Sequence, residues 1–277
     1  MLNLKSIIMS VLPKSLAGKL RIWKQRRHIR NFATRIVEHR YGGHLFKIQI
    51  GDGLAEGWYD HDWPQLPEIE ILSQSRLRPG ARVFDFGAHQ GIVAMMLAAQ
   101  VGASGSVIAV EANPHNFQAA EKNVKLNKLA QIQMIHAAIS DQSGTIWFNE
   151  GLNGALEDGT GAFGKFAVNA KTIDELSAEF GFPDVVFLDI EGAEQMALTS
   201  AVNTIESSPD FFVEVHVGCP LDALGGSVEK ILAFFPSDRF QVLVRRELDT
   251  SFRNMVKNDP IVTDRFFLLA IANQPRS

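Results

Sequence analysis

The stretch VFDFGAHQG, residues 83–91, begins as a buried strand and then places an acid, two glycines and a histidine where the chain must turn. Val83, Phe84 and Phe86 make the near-continuous apolar run of a strand covered on both faces. Asp85 interrupts that run, and a buried carboxylate is costly unless it is paired or hydrogen-bonded. A local partner such as a backbone N–H would make Asp85 structural; a positive group on a ligand would make it functional. In an open parallel sheet the ligand sits outside the carboxyl ends of the strands, where strand order reverses, and Asp85 stands at such an end.

Outward from this stretch, strand and helix alternate. Strands are predicted at about 82–87, 106–111, 131–137, 184–190, 210–217, 239–245 and 265–272, with helices at about 90–101, 114–127, 192–206 and 226–235. This order implies right-handed crossovers and an α/β, doubly wound, mostly parallel seven-stranded sheet. No helix separates FQVLVRREL from RFFLLAIAN, so the last two strands are expected to form an antiparallel hairpin. Residues 86–110 lack Asp, Glu, Lys and Arg, but GASGS at 102–106 divides them into a helix and a strand rather than a membrane span of about 20 residues. Residues 149–166 carry five glycines and read either as a surface loop or as a mobile lid.

The chain has 277 residues, 46% hydrophobic and 21% charged, enough for a substantial core. A single cysteine, Cys219, and the lack of zinc-type spacing suit a reducing, cytoplasmic setting. Charge is uneven. The first 40 residues hold ten Lys/Arg against Glu38 alone, leaving 17 basic and 30 acidic residues elsewhere, a net of −13. Leu4, Ile7, Ile8 and Val11 share a helical face, and Leu16, Leu20, Trp23, Ile29, Phe32 and Ile36 continue the apolar theme. Residues 1–45 therefore read as a basic amphipathic helical arm, either packed on a domain of residues 46–277 or attached to an acidic partner or an anionic membrane surface, peripheral to it. IIMSVL is too short for a secretory core and lacks a cleavage site.

Glycines at 87 and 91 let backbone approach a ligand, and Gly91 opens a helix whose N–H groups face it. Glu111, 20 residues after Gly91, ends the second strand and is placed to accept from two ribose hydroxyls. The loop reads D-x-G-A-x-x-G rather than the dinucleotide G-x-G-x-x-G. A carboxylate there repels a pyrophosphate but attracts an ammonium and a sulfonium, so the site fits S-adenosylmethionine (SAM) better than NAD.

Six segments in order, VFDFGAHQG, VIAVEANPHNFQAAEKNVKLN, HAAISDQSG, KTIDEL, VVFLDIEGAEQMAL and FFVEVH, resemble the FkbM family of SAM-dependent methyltransferases across about residues 50–272. The resemblance implies a class I methyltransferase (Rossmann-like) sheet and O-methyl transfer to a hydroxyl of a sugar, glycolipid or secondary metabolite. On it, the cofactor-binding set is Asp85, Gly87, Ala88, Gly91, Glu111, Ala112, Asn113, Ser140 and Asp189. Departures are His89 for the family's usual Asn, Ala112 for Pro and Phe187 for Lys, the last leaving the substrate class open.

Asp189 ends the fourth strand; Glu191 and Glu194 open the next helix, where its dipole alone explains acids. Glu214 and His216 leave the fifth strand at the same edge, so Asp189, Glu191, Glu214 and His216 converge in this reading and also form an oxygen-rich set suited to magnesium or calcium. Methyl transfer to an alcohol needs alignment, exclusion of water and a base. His216, oriented by Asp189 or Glu214, is the candidate base, a satisfied structural histidine being the alternative. A small-molecule, sugar or lipid-linked glycan acceptor is expected. A nucleic-acid methyltransferase is disfavoured by the −13 charge of the catalytic part, and a non-catalytic SAM-binding protein stays open.

Overall fold

The computed structural model describes residues 27, 31–149, 165–217, 221–256 and 265–273. Its first elements are an antiparallel hairpin, β1 (Arg35–Tyr41) and β2 (His44–Ile50). The strands turn through Gly42 and Gly43 at φ 58° and 83°, the positive values a two-residue hairpin turn requires. This corrects the expected helical arm over residues 35–45, which are strand and turn. In RIVEHRY burial alternates, with Val37 and Tyr41 inward and Ile36 outward, so the period is two and not 3.6. Residues 1–26 and 28–30 of that arm lie outside the described residues.

After α1 (Gly53–Tyr59) and α2 (Pro67–Ser73), the motif strand β3 (Arg82–Phe86) enters the main sheet. Then follow α3 (Ile92–Val101), β4 (Ser106–Glu111), α4 (Pro114–Leu126) and β5 (Ile132–His136). A separate three-stranded sheet comes next, from β6 (Ala138–Ile139), β7 (Gly144–Asn149) and β8 (Lys165–Lys171). The chain returns through α5 (Ile173–Phe180), β9 (Val185–Leu188), α6 (Glu194–Thr199), α7 (Val202–Glu206), β10 (Asp210–Val215), α8 (Val228–Leu232), β11 (Phe240–Arg246), β12 (Arg253–Asn254) and β13 (Phe266–Ala272).

The main sheet has eight strands in the order β12-β11-β13-β10-β9-β3-β4-β5, the seven expected plus the two-residue edge strand β12. From β10 to β5 all pairings are parallel, while β13 runs antiparallel to both β10 and β11. Order reverses beside β3, between β9 and β4, so the ends of β3 and β9 form the expected crevice. The helix expected over 192–206 is interrupted at Ser200–Ala201 into α6 and α7.

Each face of the sheet carries its own core. Phe84, Phe86, Val186, Phe211 and Val213 point to one, and Val83, Val185, Phe187 and Phe212 to the other. Full burial of such side chains contributes about 1.5–3 kcal/mol each, so the strands are held mainly by their two-sided apolar pattern. The N-terminal hairpin and α1 cover the second face: Tyr41, Ile48, Ile50 and Ala55 pack there with Met95 and Met96 of α3. The glycine-rich segment suspected of being a lid is flanked by strands, Asn149 pairing with Lys165, and its residues 150–164 lie outside the described residues.

Candidate active site

At the end of β3 the chain turns through three positive-φ residues, Gly87 (88°), His89 (48°) and Gly91 (84°). A Cβ at Gly87 would stand 1.7 Å from the carbonyl oxygen of Asp189, so only glycine lets the ends of β3 and β9 meet. The conformation of His89 is one in which Asn and His are enriched, which suits a histidine at this turn. Gly91 opens α3 as its N-cap, and a Cβ there would meet that of Ala120 at 3.1 Å, so the residue also sets the spacing of α3 and α4.

A cavity of about 400 Å³ opens over this turn, within the roughly 300–1,000 Å³ of small-molecule sites. Of the expected residues, its wall holds Gly87, Ala88, Glu111, Ala112, Asp189, Glu191 and Glu214. Asp85, Gly91, Asn113, Ser140 and His216 stand behind that wall. Asn113 caps α4, its side chain accepting from the N–H groups of His115 (2.9 Å) and Asn116 (3.4 Å). The Ser140 hydroxyl donates to Asp141 at 3.1 Å.

At one end of the cavity, the Glu111 carboxylate accepts from the backbone N–H groups of Asn113 and His89, both at 2.8 Å. Burial pushes its carboxyl up to about 7 despite those donors. Asp85 is buried beneath, with one carboxylate oxygen lacking any hydrogen-bond partner; burial, then the charge of Glu111, pushes it up to about 7 as well. Its neighbour in register on β9 is Phe187, packed on Phe212 at a ring distance of 5.0 Å. Phenylalanine at 187 therefore lies in the core rather than on the cavity wall, and supplies no counter-charge to Asp85.

The other end is acidic. The buried imidazole of His216 lies 2.6 Å through Nδ1 from Oε1 of Glu194, which also accepts from the Gly192 N–H at 2.7 Å. Nε2 of His216 faces Glu214 Oε1, Glu191 Oε2 and Asp189 Oδ1 at 3.5, 3.6 and 3.7 Å. Arg265 Nη1 lies 2.9 Å from Glu214 Oε1 and its other nitrogen pairs with Glu247. Asp189 and Glu191 each open more than a third of their side-chain surface, whereas Glu194 is fully enclosed. Burial in the cleft, then Glu214, pushes the Asp189 carboxyl well above the ordinary range. Burial opposes charge on His216, but Glu194 foremost, with Asp189 and Glu191, raises it to about 9.

Two expectations change here. The residue that holds His216 Nδ1 is Glu194 rather than Asp189 or Glu214, and the carboxylates around the imidazole favour its charged form, which counts against a near-neutral general base. Residues that sequence reasoning passed over complete the wall: Trp58, Tyr59 and Trp63 from GWYDHDW, and Ile139 and Phe148 from the small sheet. Tyr59 holds His89, its hydroxyl 2.7 Å from Nδ1. Asp52 ties this N-terminal unit to the motif, accepting from Gln90 Nε2 at 2.9 Å and lying 2.8 Å from His115 Nε2. Burial raises Asp52, but these bonds and the Ala55 N–H outweigh it and hold the carboxyl at about 2.

Residues 85–242, more than half of the chain, match the Methyltransferase FkbM domain. The chain belongs to the FkbM methyltransferase family. The FkbM methyltransferase of Methylobacillus flagellatus KT is 17% identical, with 68% of this chain and 43% of that one covered at a TM-score of 0.45. Aeropyrum pernix fibrillarin, solved with natively bound S-adenosyl-L-methionine, is 12% identical over 87% of this chain and 83% of its own, at 0.43. The 23S rRNA (uracil(1939)-C(5))-methyltransferase RlmD of Acinetobacter baumannii (strain SDF) is 36% identical over 84 residues. That match covers 30% of this chain and 18% of RlmD, and the chain spans less than half of the Methylobacillus protein.

The FkbM-family cofactor fits the cavity on its own terms. The buried Asp85 oxygen without a hydrogen-bond partner calls for a positive group, and Gly87 and Ala88 keep the cavity wall beside it free of bulk. The Glu111 carboxylate lines the same cavity, where an acid at the end of a strand is placed to accept from ribose hydroxyls. Among the described residues no helix is long and apolar enough to cross a membrane.

Proposed function

We propose that this FkbM-family methyltransferase O-methylates a hydroxyl of a sugar, glycolipid or other secondary metabolite. The observation that carries the reading is the carboxylate cluster of Asp189, Glu191 and Glu214 on the cavity wall, at the opposite end from Glu111. Bound SAM supplies an electrophilic methyl group. The protein's part is to hold the acceptor oxygen in line, keep water out and take the hydroxyl proton.

Trp58, Tyr59 and Trp63 give the acceptor an apolar face to lie against, and the wall carboxylates accept hydrogen bonds from its hydroxyls. The proton passes to these carboxylates; His216 behind them, whose charged form Glu194 foremost favours, stabilises their charge. A nucleic-acid acceptor is disfavoured, because the four wall carboxylates Glu111, Asp189, Glu191 and Glu214 outnumber Arg265 and repel a phosphate backbone.

The test supplies the protein with SAM and panels of sugars, glycolipids and hydroxylated metabolites, reading product masses for one added methylene. Methylation of a hydroxyl supports the proposal. Methylated RNA with no methylated small molecule, or SAM bound tightly with no product from any panel, overturns it.

A further inference from the structure

Glu111 accepts from more than the Asn113 N–H: the His89 N–H and the Asn116 side chain also donate to its carboxylate. Each of these two donors traces back to helix α1, ahead of residue 85, where the match to the family domain starts. Tyr59, at the end of α1, reaches His89 Nδ1 with its hydroxyl, and its own carbonyl accepts from the Tyr41 hydroxyl at 2.5 Å. Asp52, at the start of α1, reaches Asn116 through Gln90.

The second route runs through groups whose direction is dictated. Asp52 is fully enclosed, and its Oδ1 caps α1, accepting from the N–H groups of Leu54 and Ala55 at 2.9 and 2.8 Å. Its Oδ2 faces the motif instead, accepting from Gln90 Nε2. Held at about 2, the carboxyl has no proton to give, so Gln90 must turn its NH2 toward it. The Gln90 backbone is fixed as well, its carbonyl accepting from Asn123 Nδ2 at 2.9 Å.

The same Gln90 Nε2 donates, at 3.4 Å, to Asn116 Oδ1, which leaves the Asn116 NH2 for Glu111. One charged oxygen thus orients two buried amides in series and aims a donor at Glu111. Gln90 Oε1 is left buried without a hydrogen-bond partner, so this amide keeps its orientation at the cost of a bond of its own.

We infer that Asp52 is a positioning residue for Glu111, acting through Gln90 and Asn116, and that the hairpin-and-α1 unit is thereby part of the cofactor site. The inference rests on the placement of the cofactor's ribose at Glu111. The last torsion of a glutamate is broad, so its carboxylate turns unless donors hold it. Three donors on a group with about four acceptor sites leave about one for a ligand in the cavity that Glu111 lines. Asp52 and Gln90 act from outside, since only Asn116 and Glu111 of this route belong to the cavity wall.

The experiment is a double-mutant cycle on the full-length protein, read by calorimetry with SAM, with melting temperature reporting that each variant folds. Asp52→Asn keeps an oxygen to cap α1 but sets an NH2 against Gln90, so the Gln90 amide turns over, Asn116 turns with it, and an oxygen then faces Glu111. SAM affinity should fall about 10-fold, the equivalent of one hydrogen bond to a charged group. In a Glu111→Ala background the same substitution should change affinity by less than about 2-fold. Gln90→Met, which removes the relaying amide, should repeat both results and carries the test if Asp52→Asn fails to fold.

Wild-type SAM affinity in folded Asp52→Asn, or in folded Gln90→Met where the first does not fold, overturns the positioning role and leaves the ribose at Glu111. A loss of equal size in both backgrounds also overturns it, assigning Asp52 to stability alone. Unchanged SAM affinity in folded Glu111→Ala overturns the ribose placement and the inference with it. None of these outcomes involves the acceptor, so the proposed function stands or falls separately.

Discussion

The two ends of the cavity are both lined by acids, but they keep them by opposite means. Glu111 is held by two backbone N–H groups and Asp85 has no partner for one oxygen, so burial dominates and both carboxyls rise to about 7. At the other end, Asp189, Glu191, Glu194 and Glu214 surround side-chain cations, His216 and Arg265. The first arrangement leaves charge to be met by a ligand's positive groups. The second manages charge within the protein and leaves carboxylate oxygens facing the cavity. On the proposed function, one cavity holds a cationic cofactor at the first end and delivers the acceptor's proton at the second.

If that division is right, the largest effect falls on chemistry alone. Glu214→Gln should lower turnover by about 10²- to 10⁴-fold, the usual range for losing proton-transfer assistance, with SAM affinity unchanged. Rates at saturating SAM, set beside calorimetry, check it; an equal loss in both would erase the distinction between the ends. Gly87→Ala should damage both together, because a Cβ meets the Asp189 carbonyl oxygen at 1.7 Å on a φ of 88°. A cost of roughly 2–6 kcal/mol follows from strain plus overpacking, visible as a clear drop in melting temperature.

Glu111→Ala should act only at the cofactor end, weakening SAM about 10- to 100-fold, since hydrogen bonds to charged groups contribute about 1.5–3 kcal/mol. Calorimetry decides it, and an unchanged affinity in the folded variant would remove the ribose role.

A pH profile sharpens the contrast further. Folding raises Asp85 from 3.8 to about 7, so the native state favours its protonated form; that contribution is complete below about pH 4 and lost as pH rises through 7. The Glu111 carboxyl acts in the same direction. Melting temperature of the ligand-free protein should therefore rise between pH 8 and pH 5, and Asp85→Asn should flatten the profile and stabilise at pH 8 by roughly 1–3 kcal/mol. SAM affinity should move oppositely, growing toward pH 8 as the carboxylates ionise.

The smallest effect lies outside both ends. We propose that the basic residues before β1 promote attachment to anionic membranes, at about 1 kcal/mol per cation near the surface and screened by salt. The deletion must stop before Arg35, because Val37 and Tyr41 belong to the core. Undiminished flotation of that truncated protein with anionic liposomes would assign the arm a purely internal role.

What the sequence by itself determined is local or strictly periodic. The two-sided apolar strands, the D-x-G-A-x-x-G turn and the acid ending β4 were legible because a βαβ unit writes its constraints within about 30 residues. The same reasoning misread 35–45 as helix, since basic residues drew attention away from the two-residue period of RIVEHRY. It also left residues 57–63 unassigned, although GWYDHDW was there to be noticed. Only the tertiary structure decided that Glu194 rather than Asp189 or Glu214 holds His216, that Phe187 lies against Asp85 in register, and that Tyr59 reaches His89 across 30 positions. Such pairings depend on how strand ends and helix starts meet in space and on which rotamers packing leaves open. Spacing along the chain carries neither, and the charge state of a histidine among four carboxylates follows from both.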